Sequence, residues 1–491
     1  MSALASTLDE LQVSNGFATS LSSSFYTLLP ASGLREAQLL HANEALAQRL
    51  GISHELLHSP AFLDVLSGNA PLPGGQSLAA VYSGHQFGVW AGQLGDGRAH
   101  LLGAIDGPDG AQELQLKGSG LTPYSRMGDG RAVVRSSVRE YLASIAMKGL
   151  GIPTTEALAI VTSPVPVYRE TVERAAIVTR VAPSFVRFGS FEHWLGHPEE
   201  MQSLLHYVVQ NFYPALYEQS EDHAELARLL LSDVTKRTAY LMADWLTVGF
   251  CHGVMNTDNM SILGLTLDFG PFGFMDAFQA NHICNTTDQQ GRYAWNQQPS
   301  VGHWNLYRLA SAMTTLGATP ETLNPVLQQY EGWFLERYRE NLCRKMGWQE
   351  WLEGDTQLVD DWWRLLHRDQ ADFSLSFRAL AWAEKHPEAF LQCFHDQDQA
   401  RVWVDKYRVR LEADPQTTAQ RQHAMNAANP LYVLRNYLAQ QAIAAAEKGD
   451  ASVLSDLFTV LSNPFEERSG YERYAEVPPP EAQSIALSCS S

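Results

Sequence analysis

The sequence predicts an α+β fold in which a small β-rich lobe precedes a large helical lobe, with an extension at each end. Three observations carry this. Between Val81 and Lys117, glycines at Gly84, Gly88, Gly92, Gly95 and Gly97 punctuate short apolar pieces, as strands joined by tight turns require. Soon afterwards Val134, Val138, Tyr141, Leu142 and Ile145 share one face of a helix. From about Phe185 onward the apolar spacing is mainly helical, as at Leu241, Trp245 and Val248.

Taken in order, residues 1–80 read as an extension packed on the core that the two lobes form, with helical stretches such as 34–50 broken by Gly33, Gly51 and the 71–75 turn. Residues 81–185 form the β-rich lobe. It holds a glycine-rich hairpin, strands at 100–105 and 113–117 around a Pro108-Asp109-Gly110 turn, the helix from Val134, and strands at 157–162, 165–170 and 175–181. A turn near Glu173 is expected before the last strand. Residues 186–460 form the helical lobe, with helices over 236–250, 330–346 and 431–446. Residues 461–491, with Asn463-Pro464, three prolines from Pro478 and a serine-rich end, read as an extended tail.

Composition narrows the function. The chain has 491 residues, 45% of them hydrophobic, enough for a large core. Its formal charge of -19 argues against a nucleic-acid backbone or an anionic membrane as the main partner, since both reward a basic surface. Any phosphate ligand must therefore meet a local cationic pocket. No apolar run approaches the roughly 18 to 20 residues of a membrane span, and the first residues lack the basic-then-apolar pattern of a secretory signal. The expected compartment is the cytoplasm. The five cysteines, Cys251, Cys284, Cys343, Cys393 and Cys489, form neither a secreted disulfide framework nor a Cys-x-x-Cys zinc spacing.

The chemistry concentrates in His252-Gly253-Val254-Met255-Asn256-Thr257-Asp258-Asn259 and the following Asp268-Phe269-Gly270. Kinase-type phosphotransferases carry His-x-Asp-x4-Asn and then Asp-Phe-Gly, where the first Asp receives the hydroxyl proton and the Asn and second Asp hold metal. This order predicts a protein-kinase-like bilobal fold. Val254, however, stands where the proton acceptor belongs, and valine accepts no proton. Asp258, beside Asn259, is the candidate replacement. Asn259 and Asp268 are candidate ligands for a hard divalent cation such as Mg2+ or Mn2+, which prefers oxygen. The competing reading is that Asn256, Asp258 and Asn259 only stabilise a turn.

Lys117 follows Gly95-Asp96-Gly97-Arg98 as a phosphate-binding lysine follows a kinase glycine-rich loop. Glu140, on the next helix, could hold that lysine in place; equally, Ser137-x-x-Glu140 reads as a helix capping box. Asp129-Gly130 lies in the loop before the helix. Arg180 and Arg187 are candidate phosphate clamps, because guanidinium groups bind phosphate oxygens in two-pronged fashion.

Read together, residues 95–98, the stretch 116–132 (Leu-Lys-Gly-Ser-Gly-x-Thr-Pro-Tyr-Ser-Arg-x-Gly-Asp-Gly-Arg-Ala), Ser137-x-Arg139-Glu140, residues 252–261 and Asp268-Phe269-Gly270-Pro271 closely resemble the selenoprotein O family. The resemblance implies a pseudokinase-fold enzyme that transfers AMP from ATP to hydroxyl side chains of proteins, with ATP bound in an orientation flipped from that of protein kinases. It implies that Lys117, Arg180 and Arg187 hold phosphates and that Gly95, Gly97, Arg98, Asp129 and Gly130 complete the nucleotide pocket. It further implies that Glu140 positions Lys117, that Asn259 and Asp268 hold Mg2+ or Mn2+, and that Asp258 accepts or orients the proton. The expected partners are ATP and proteins bearing Ser, Thr or Tyr hydroxyls.

Cys489 occupies the place where many eukaryotic relatives carry selenocysteine, so a redox disulfide with Cys284 is a further expectation of the resemblance. Three rival functions remain open at this point: γ-phosphoryl transfer as a kinase, UMP transfer from UTP, and a non-catalytic ATP-binding scaffold.

Overall fold

The structure is a computed structural model that describes residues 4–480, 482 and 485–488. Its centre is a ten-stranded sheet in which every pairing is antiparallel. The strands are β1 (Val13–Ser14), β2 (Tyr26–Leu28), β3 (Gln38–Ala42), β4 (Leu78–Gln86), β5 (Val89–Gly95), β6 (Ala99–Gly107), β7 (Gly110–Lys117), β8 (Ala132–Val133), β9 (Glu156–Tyr168) and β10 (Val172–Ala182). Their main path runs β2-β4-β6-β7-β10-β9-β3, with β1 on β6, β5 on β4 and β8 on β10. A second, two-stranded sheet pairs β11 (Phe250–Cys251) with β12 (Gly273–Phe274).

Strand alternation sends the two sides of the main sheet to different cores. Leu114, Leu116, Ile177 and Val181 pack with the N-terminal extension, whose helices α1 (Glu44–Arg49) and α2 (His54–Leu57) supply Leu46, Leu56 and Leu57. The opposite side takes helix α3 (Val134–Gly149), with Val134, Val138 and Tyr141 against Ala157, Ile160, Ala176 and Val178. The register pairs Val178 with Lys117 and Arg180 with Gln115, so Lys117 and Arg180 project from the α3 side of adjacent strands. Beyond the sheet the chain is helical, including α4 (His223–Thr247), α5 (Gln298–Met313), α6 (Tyr330–Met346), α7 (Asn436–Ala446) and α8 (Ser452–Ser462).

Several expectations change. Segment 34–50 is a strand followed by a helix, β3 then α1, because Asn43 caps α1 by accepting from Leu46 N at 3.1 Å. The two strands expected over 157–170 are the single strand β9. Pro164 and Pro166 do not break it, because β3 pairs only as far as Thr162 and leaves the proline-bearing end as an edge. The turn falls at 169–171, so Glu173 belongs to β10, where it binds the Arg135 guanidinium. The helix expected from 431 begins at Asn436; residues 432–435 are neither helix nor strand, and Arg435 pairs with Asp276 and Asp372. Among the described residues no helix is long and apolar enough to cross a membrane.

Candidate active site

One cavity of about 600 Å3 opens where the sheet meets the 254–271 loop. Gly95, Gly97, Arg98, Lys117, Asp129, Gly130, Arg180, Asp258, Asn259 and Asp268 all line it. Arg187 and Glu140 do not; they stand behind the wall and hold the residues that do. Glycine is required at two of these positions. Gly95 has φ +150°, and a Cβ there would lie 2.5 Å from the Tyr124 ring; Gly130 has φ +71°, and a Cβ would lie 2.2 Å from the Gly120 carbonyl carbon.

The electrostatic centre is Asp268, itself at φ +58°. Its Oδ1 meets the Arg180 guanidinium and lies 3.7 Å from Lys117 Nζ; its Oδ2 lies 2.6 Å from Arg187 Nη1. Glu140 is the second anion, with Oε2 2.7 Å from Lys117 Nζ and Oε1 3.3 Å from Arg180 Nη1. Burial alone would push the Asp268 carboxyl up, but Arg187, Arg180 and Lys117 outweigh it and hold that group well below the usual carboxylate range. Burial lowers the Lys117 ammonium, while Glu140 pulls the other way. Three cations thus face two carboxylates in a buried cluster, which leaves positive charge for an anionic ligand to neutralise.

Glu140 lies within α3, not at its start, since the helix begins at Val134. The capping-box reading of Ser137 and Glu140 is therefore overturned: both are buried in the helix interior, and Glu140 spends its carboxylate on Lys117 and Arg180.

Asp258 sits in a single 3-10 turn, Thr257–Asn259, and its Oδ2 accepts from Gln86 Nε2 at 3.1 Å. Its Oδ1 is buried with no hydrogen-bond partner. Burial pushes this carboxyl up to about 6, against the Gln86 hydrogen bond and the Arg187 charge. Asn259 donates Nδ2 to Val254 O at 3.0 Å, which leaves Oδ1 as the atom of that amide able to ligate. Asn256 is otherwise engaged, its Oδ1 accepting from Phe87 N at 3.1 Å and Tyr293 OH at 2.6 Å. A divalent cation fits Asn259 and Asp268, because an amide oxygen and a carboxylate are hard oxygen ligands and both residues line the cavity.

A comparison with protein families decides the assignment: residues 9–462 match the family described as "Protein adenylyltransferase SelO". The chain belongs to the protein adenylyltransferase SelO family. It is 56% identical over 489 residues to "Protein nucleotidyltransferase YdiU" of Bordetella avium (strain 197N), covering 99% of each chain. It is 47% identical to the protein of the same name from Ralstonia nicotianae, covering 97% of this chain and 95% of that one. With the one from Dechloromonas aromatica it shares 46% identity over 97% of both.

Around this SelO-family cavity the structure adds residues that the sequence did not single out. Arg169 grips Asp129 with both Nη atoms, at 2.7 and 2.9 Å, and no spacing rule connects positions 40 residues apart. Gln115 joins Arg180 to buried Asp96, whose Oδ2 lies 3.1 Å from Gln115 Nε2. Arg126 and Arg131 also line the cavity; the dense polar stretch 116–132 was the available signal for them. Gln86, at the tip of the β4–β5 hairpin, had none.

Cys284 is a buried free thiol that donates to Cys251 O at 3.4 Å, and burial pushes it well above the usual thiol range. Cys489 lies outside the described residues. The tail does run beside this segment: Leu487 O accepts from Thr286 N at 2.8 Å and from Thr286 Oγ1 at 2.9 Å.

Proposed function

We propose that this SelO-family protein transfers AMP from ATP to Ser, Thr or Tyr hydroxyls of proteins and releases pyrophosphate, using a kinase-like bilobal core with the nucleotide flipped. In this reading residues 81–185 and 186–460 are the two lobes and the cavity is the cleft between them. The observation that carries the proposal is the shared cavity: a cluster of Lys117, Arg180 and Asp268 lines the same cavity as Asp258, where Val254 offers no base.

Each residue then has a task. Lys117 and Arg180 take the negative phosphates, while Glu140 and Arg187 hold them and Asp268 in register from behind. Arg98, Asp129 and the Gly95, Gly97 and Gly130 backbones shape the rest of the nucleotide pocket. Asp258, fixed by Gln86, accepts or orients the proton of the incoming hydroxyl. Asn259 and Asp268 would hold Mg2+ or Mn2+, which neutralises charge on phosphate oxygens. Asp268 must exchange part of its guanidinium contacts for that role, and incoming phosphates offer those guanidinium groups a replacement anion.

Intact-protein mass spectrometry after incubation with ATP and either metal tests this. Self-modification by one AMP in wild type and not in Asp268→Ala supports the proposal. Addition of a phosphoryl group in its place would establish γ-phosphoryl transfer, and an Asp268→Ala protein as active as wild type would overturn the metal assignment.

A further inference from the structure

Away from the cavity, on the N-terminal extension, Glu44, His54 and His58 turn three ligand atoms toward one point. Glu44 Oε1 lies 3.0 Å from His54 Nδ1 and 2.6 Å from His58 Nε2, so a single oxygen serves both rings. The ring centroids are 4.5 Å apart. All three ligand atoms lie within 4.8 Å of one another, the one such group of His, Cys, Asp or Glu among the described residues.

We propose that Glu44, His54 and His58 form a second metal site, selective for zinc and similar late transition-metal ions and distinct in chemistry from the oxygen-lined cavity. Two imidazoles and a carboxylate suit such ions, whereas magnesium prefers oxygen alone. Three protein ligands leave a fourth position open to water.

The backbones that carry the ligands are already fixed. Asn43 caps α1 just before Glu44, and Ser53 caps α2 just before His54, accepting from Leu56 N at 3.1 Å. Leu46, Ala47, Leu56 and Leu57 anchor both helices in the same core. Little chain entropy remains to be lost on binding. The ligand side chains are 43%, 68% and 41% exposed for Glu44, His54 and His58, so an ion enters from solvent without opening the fold. A bound ion clips α1 to α2, and binding only to the folded chain raises its stability by mass action.

The test is calorimetric titration of the full chain with zinc chloride in excess magnesium, comparing wild type with His58→Ala, His54→Ala and Glu44→Gln. All three changes lie on the surface, and circular dichroism checks that each variant is folded. The site predicts that wild type binds one more equivalent of zinc than each histidine variant, and that zinc raises the Tm of wild type but not of His58→Ala. Equal stoichiometry in wild type and both histidine variants, or no zinc bound by wild type, would overturn it.

Discussion

The side-chain amide of Gln86 donates to Asp258 Oδ2 at 3.1 Å, joining the tip of a sheet hairpin to the loop that carries the proposed proton acceptor. The link does not stand alone. His85 N donates to Thr257 Oγ1 at 2.7 Å, and Phe87 N to Asn256 Oδ1 at 3.1 Å. Phe87 and Gly88, at φ +51° and +80°, make the two-residue turn that brings these groups together. The hairpin is therefore a brace for the 256–258 loop.

Gln86→Ala removes one arm of that brace. A hydrogen bond to a charged group contributes about 1.5–3 kcal/mol, so kcat should fall roughly tenfold or more while ATP affinity changes little. Steady-state AMP transfer together with ATP-binding titration separates the two effects; an equal loss in both would mean that Gln86 serves the nucleotide rather than Asp258.

Asp258→Asn keeps the shape of the side chain and its place beside Gln86 but removes the proton acceptor. Nucleotide binding should persist while transfer falls by roughly two orders of magnitude or more, the range typical of a general base. Single-turnover kinetics at saturating ATP reads this directly.

Gly130→Ala should fail structurally before it fails chemically. The new Cβ would lie 2.2 Å from the Gly120 backbone at a left-handed φ, so the 118–131 loop must move. A loss on the order of 2 kcal/mol or more is expected, visible in thermal unfolding, with ATP no longer protecting the loop from proteolysis.

Lys345 makes stability depend on pH. It is buried, its ammonium 4.3 Å from the Phe377 ring centroid, and burial lowers it to about 7. Below that value the folded chain carries a buried charge; between about 7 and the unfolded value near 10.4, the unfolded chain binds more protons. Stability on this account rises as pH increases through that window. Lys345→Met should remove the rise and stabilise the protein below pH 7 by on the order of a few kcal/mol, measured as Tm against pH.

What was legible in the sequence was what is local or ordered along the chain. The 330–346 helix matches Tyr330–Met346 because its aromatic and aliphatic residues repeat at helical spacing up to Gly347, which ends it at φ +71°. Between Val81 and Lys117, Gly88 and Gly97 do fall in the connections that bound β5, whereas Gly84, Gly92 and Gly95 lie within β4 and β5 and mark no turn. What was not legible depends on tertiary partners. Ser137-x-x-Glu140 has the letters of a cap, and only the packing of α3 shows Glu140 facing Lys117. The continuity of β9 across 163–164 was not legible, because the edge position that tolerates Pro164 and Pro166 is set by where β3 stops. Arg169, Gln115 and Gln86 support Asp129, Arg180 and Asp258 across long sequence separations, which no local pattern encodes.

The most direct test supplies ATP labelled at the α-phosphate or at the γ-phosphate, with Mg2+ or Mn2+, to the wild-type protein and a mixture of candidate protein acceptors. AMP transfer at this site predicts protein-bound label from α-labelled ATP alone, pyrophosphate as the second product, and loss of both in Asp268→Ala. Label on protein from γ-labelled ATP, with ADP as the second product, would contradict it.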